Sequence, residues 1–81
     1  MPNSTAKSAF NKAQRIAAEM RDVQAKEEAL SESLKGVGDQ SSRATVESEI
    51  IRLCALWNRL YQEHTAAFAE YTAAVEAARR K

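Results

Sequence analysis

Glycine and proline, the residues that most readily stop a helix, are nearly missing from this chain. Pro2 stands at its start, and Gly36 and Gly38 sit together in Lys35-Gly36-Val37-Gly38-Asp39-Gln40-Ser41-Ser42. The runs 3–35 and 39–81 contain neither residue. Each run is rich in Ala, Glu, Lys, Arg, Gln and Leu, the good helix formers. Nowhere do β-branched residues alternate with polar ones over a useful length, so strand signals are absent. Paired glycines followed by Asp, Ser and Ser read as a helix stop, a turn and a new helix N-cap. The sequence therefore predicts an all-α fold: helix 1 over about 4–35, a turn over about 36–40 and helix 2 over about 41–79. Asn3-Ser4-Thr5 are placed to cap helix 1, and Arg79, Arg80 and Lys81 suit the negative end of the helix 2 dipole.

A short turn makes two long helices antiparallel neighbours, and the apolar spacing agrees. Helix 1 carries Ala6, Ala9, Ala13, Ile16, Met20, Val23, Glu27, Leu30, Leu34 and Val37 at alternating steps of three and four, a heptad seam with one polar member. Phe10 and Ala17 widen it. Glu27 reads as a carboxylate that reaches the rim or pairs with an Arg, or as a device that fixes register. Helix 2 carries Val46, Ile50, Leu53, Trp57, Leu60, His64, Ala67, Tyr71, Ala74 and Ala78 in the same rhythm. A second seam runs beside it through Cys54, Tyr61, Phe68 and Val75. Together the two seams cover about 160° of helix 2 at 100° per residue. With the turn centred near Val37-Gly38, Trp57 and Leu60 should meet Ile16 and Met20, and Leu53 should meet Val23. Tyr61 and Phe68 should lie over Ala13 and Ala9.

One partner helix cannot cover so wide an arc. Cys54, Tyr61, Phe68 and Val75, or else Leu56 and Leu60, should stay partly uncovered in a lone hairpin. A single domain of 81 residues has little stability to spare. One Cys makes no internal disulfide, and there is no Cys/His cluster for zinc. The expected remedy is assembly: a homodimer of hairpins forming a four-helix bundle, with the helix 2 faces at its centre. Its interface would comprise Ile50, Leu53, Cys54, Trp57, Leu60 and Tyr61, continued by His64, Phe68, Tyr71 and Val75, with Phe10 joining from helix 1. Another protein could occupy the same face, or an outer surface at Ile51, Arg52, Arg59 and Glu63.

Charge bears on the partner. Residues 1–21 hold Lys7, Lys12, Arg15 and Arg21 against Glu19, whereas 22–49 hold seven acids (Asp22, Glu27, Glu28, Glu32, Asp39, Glu47, Glu49) against Lys26, Lys35 and Arg43. Each hairpin is thus acidic at its turn end and basic at its open end, which favours antiparallel over parallel pairing of two copies. The overall net charge of +1 argues against a dedicated nucleic-acid binder.

Chemistry finds little footing. His64 and Cys54 are ten residues apart on one helix, about 15 Å, too far to cooperate within a chain. The Glu-x-x-His motif of di-iron bundles is missing, because Tyr61 stands three residues before His64. Gly-Val-Gly between two helices is no phosphate loop. No catalytic residue, metal, cofactor or small-molecule substrate is expected. No apolar run approaches the roughly 20 residues of a membrane span and no signal segment opens the chain, so a reduced, cytoplasmic setting is the default. The function expected is that of a small non-catalytic interaction module, of inhibitor, adaptor or co-chaperone type, which binds and modulates another protein. The alternative is a dimeric regulator that binds nucleic acid through Lys7, Lys12, Arg15, Arg79, Arg80 and Lys81.

Overall fold

The computed structural model describes residues 2–80, with side chains from Thr5 onward. Two helices make up the fold: α1 over Pro2–Leu34 and α2 over Gln40–Arg79. They pack antiparallel as a rod of 63 × 14 × 13 Å, the helical hairpin that the glycine pair and the heptads predict. Among the described residues there is no strand, and no helix is long and apolar enough to cross a membrane.

The ends of the helices differ from the sequence expectation in an instructive way. Helix α1 runs from Pro2, so Asn3-Ser4-Thr5 lie within the helix, and the side chains of Asn3 and Ser4 lie outside the described residues. Proline suits a first helical position because its missing N–H would have had no partner there. At the other end the chain tightens: Lys35, Gly36 and Val37 donate to the carbonyls of Glu32, Ser33 and Leu34, each at 3.2 Å. Neither Gly36 nor Gly38 takes a left-handed conformation. Asp39 then caps α2, its carboxylate accepting from the Ser42 backbone N–H (3.0 Å) and the Ser42 hydroxyl (2.9 Å). Those two bonds stabilise the charged form and hold the Asp39 carboxyl below its ordinary value. Lys81 lies outside the described residues.

The seams meet as the heptads require. Ala9, Ala13, Ile16 and Val23 of α1 are buried against Leu53, Leu60 and Ala67 of α2. Met20, Leu30, Leu56 and Trp57 pack around this cluster. Among the described residues, three of the seven that are buried are alanines, and the core is one seam thick. Its small half lies toward the termini, where Ala9, Ala13 and Ala67 let the helices approach closely.

Contacts along one flank show the register. The Cys54 thiol donates to Glu27 Oε2 at 3.5 Å, and the Phe10 and Tyr71 rings lie 5.5 Å apart. Both pairings fall about one turn beyond the level set by the turn. Side chains on a helix lean toward its N-terminus, and in an antiparallel pair the two leans add. Leu60 and Ala67 lie in the seam, and the residue following each, Tyr61 and Phe68, is rotated about 100° outward and stands about half exposed.

Candidate interaction surface

The hairpin has two unlike flanks. On one, the second seam of α2 emerges as an aromatic strip. Trp57 and Tyr61 stack with centroids 5.4 Å apart at 17°. One turn on, His64 stacks on Phe68 at 6.4 Å and 15°. Phe68 in turn meets Tyr71 at 6.0 Å, and Tyr71 meets Phe10 of α1. Phe68 (54% exposed), Tyr61 (53%) and Phe10 (43%) stand well out of the surface, while Trp57, His64, Tyr71 and Val75 are half-buried beneath them. Two threonines on this flank present little polarity outward. The Thr65 hydroxyl donates to the Tyr61 carbonyl (2.9 Å), and that of Thr72 to the Phe68 carbonyl (3.0 Å).

Near its turn end the strip opens into a groove of about 300 Å³ between the helices, lined by Gln24, Glu27, Cys54, Trp57 and Asn58. Cys54 is exposed at its edge. Local desolvation, and then the hydrogen bond and charge of Glu27, raise the thiol above its ordinary value. A thiolate is the nucleophilic form, so this environment quiets the cysteine. Among the described residues no group of three or more His, Cys, Asp and Glu could hold a metal ion.

The opposite flank is charged. Lys12, Arg15 and Glu19 share a shallow cleft with Glu63, and Lys12 with Thr5, Ser8 and Ala9 shares another with Glu70. On α2, Arg59 pairs with Glu63 at 3.6 Å. Arg52 forks onto Glu49, with Nε to Oε2 at 3.1 Å and a second bond from its terminal nitrogen. That pairing lowers the Glu49 carboxyl and raises the Arg52 guanidinium.

Of the interface residues expected from sequence, Cys54, Tyr61, Phe68, Trp57, His64, Tyr71, Val75 and Phe10 come together on the aromatic flank. Leu53 and Leu60 are buried in the hairpin's own seam and have no surface to offer, and Ile50 is half-buried beside them. In the outer set, Ile51 is the most exposed large apolar residue among the described residues (69%), and Arg52, Arg59 and Glu63 are already held in ion pairs along α2. The basic end is mixed: all five described cations, Lys7, Lys12, Arg15, Arg79 and Arg80, are exposed, and Lys12 and Arg15 stand beside carboxylates. Glu27 does not pair with an Arg but with the Cys54 thiol. The sequence did not point to Gln24 and Asn58 as groove walls; its only local signal was the polar Glu27 in an otherwise apolar seam.

Compared with protein-family models, curated proteins and solved structures, the chain matches none of them.

Proposed function

We propose that this chain is a small non-catalytic protein–protein interaction module whose aromatic flank is its contact surface. The module self-associates through that flank into a four-helix bundle and uses its outer faces to bind and modulate another protein. One observation carries this reading: three large apolar side chains, each about half exposed, stand in line over half-buried aromatics. Contiguous apolar surface of this kind is rare on proteins that act alone, and aromatic residues dominate the energetics of protein interfaces. The quieted Cys54 thiol and its distance from His64 offer no nucleophile–base pair to set against it. Once the flank is covered, the α2 side bearing Ile51 remains for a second protein, with Arg52 and Arg59 held beside it.

Retention of cellular proteins on the immobilised chain, with and without nuclease, tests the reading. Proteins held by the wild type but lost on Ile51→Glu, and unaffected by nuclease, support it. Recovery of nucleic acid, with every protein lost after nuclease treatment, overturns it in favour of a regulator acting through its basic end.

A further inference from the structure

The aromatic flank carries both a protruding ring, Phe68, and a hollow, the Cys54 groove. We propose that the flank is covered by a second copy of this chain running antiparallel, with the two-fold axis beside Tyr61. Phe68 of each copy then seats in the groove that Gln24, Glu27, Cys54, Trp57 and Asn58 line in the other. This rests on the interaction-module reading and adds to it the geometry of assembly.

Symmetry is the first support. A two-fold contact uses one patch twice, so that if residue i meets residue j then j meets i. Helix α2 spans Gln40–Arg79, and its midpoint, between Arg59 and Leu60, falls less than half a turn before Tyr61. Two rods overlapping along nearly their full length therefore place the axis close to Tyr61. Phe68 follows Tyr61 by two helical turns and Cys54 precedes it by two turns. An antiparallel copy lays Phe68 over the Cys54 groove on one side of the axis and repeats the contact on the other. The protruding ring and the hollow are thus at equal and opposite distances from one point.

Charge is the second support. Glu27, Glu28, Glu32, Asp39, Glu47 and Glu49 gather toward the turn end, while Lys7, Arg79 and Arg80 stand at the other end. An antiparallel copy sets the acidic end over the basic one at both extremities, and a parallel copy would stack like on like. Area is the third. One whole side of the 63 × 14 Å rod is about 900 Å² in projection, so two copies must overlap along nearly their full length to reach the roughly 800 Å² per partner of a standard stable interface.

Spin labels attached at Gly38→Cys in a Cys54→Ser background report the geometry directly. Gly38 is a suitable site because nothing lies within 4 Å of a side chain added there. The antiparallel dimer puts the two turns at opposite ends of the bundle, so pulsed dipolar spectroscopy should give a separation of about 60 Å, near the 63 Å rod length. A separation under about 25 Å, the span of adjacent helices plus linkers, would mean a parallel dimer. That result overturns the geometry and leaves the interaction module standing. A monomeric mass in sedimentation overturns the second copy as occupant, and self-association with it, while the Ile51→Glu retention assay still decides whether the chain binds another protein. Phe68→Ala should raise the dimer Kd about a hundredfold, because one substitution removes two seated rings. Gln24→Trp fills the groove without touching Phe68 and should weaken the dimer likewise. An unchanged Kd in both variants overturns the seating of Phe68.

Discussion

Leu60 and Tyr61 are neighbours in sequence with opposite surroundings, which makes the pair a stringent check on the packing. Leu60 is 4% exposed, inside the seam with Ile16 and Val23. Truncating such a leucine costs about 2–5 kcal/mol, and a one-seam core that can partly collapse puts Leu60→Ala near the lower end. At about 4–8 °C per kcal/mol for a chain of this size, the melting temperature should fall by about 10–15 °C. Tyr61 keeps more than half its surface in water, so Tyr61→Ala loses about half of a full transfer energy, about 1 kcal/mol in the isolated hairpin. Thermal melts followed by circular dichroism at low and high protein concentration separate the two effects. Leu60→Ala should destabilise at every concentration. Tyr61→Ala should be mild in dilute solution and costly where the wild type is dimeric, since assembly buries the exposed half of the ring. Equal losses from the two variants in dilute solution would refute the assignment of Leu60 to the seam and Tyr61 to the flank.

Glu27→Gln should speed alkylation of Cys54 by iodoacetamide at mildly alkaline pH, because it removes a carboxylate that holds the thiol pKa up; an unchanged rate would discount the Glu27–Cys54 bond. Gly36→Ala with Gly38→Ala should raise stability by about 0.4–1 kcal/mol per site in urea titrations. Neither glycine uses a left-handed conformation, an added Cβ meets at most Ser33 O at 3.9 Å, and the unfolded chain loses freedom. A loss of stability would show that the turn needs glycine. Asp39→Ala should destabilise at neutral pH, and the difference from wild type should vanish in acid. The folded Asp39 pKa lies below its unfolded value, so the cap contributes fully above the ordinary Asp pKa and is lost as pH falls through the folded one. Melts at neutral pH and at about pH 2 check this, and a difference that persists in acid would mean that the carboxylate is not the cap.

Much of the fold could be read from the chain because the helical period leaves little choice. Every position in the run from Ala6 to Leu34 of α1 at three–four spacing, and Val37 in the turn, is buried or half-buried, Glu27 included, and so is every position of the first α2 seam from Val46 to Ala78. What the sequence left open was which edge of the wide α2 arc would stay wet: Cys54, Tyr61, Phe68 and Val75, or Leu56 and Leu60. Packing decides that. Opposite Ile16 and Val23 the seam takes the compact aliphatic Leu53 and Leu60, whereas Tyr61 keeps its hydroxyl in water only by turning outward. The Glu27–Cys54 bond joins residues far apart in the chain, and no local pattern announces such a partner. The groove escaped notice for the same reason, since Gln24 and Asn58 become neighbours only when the helices pair.

Sedimentation velocity from micromolar to near-millimolar concentration tests the central claim most directly. If the aromatic flank is a surface built to be covered by a second copy, the chain should sediment at twice its 9.0 kDa mass, and Tyr61→Ala with Phe68→Ala should shift it toward monomer. A fully helical 9.0 kDa monomer at every concentration, with Phe10, Tyr61 and Phe68 left in water, would contradict the claim.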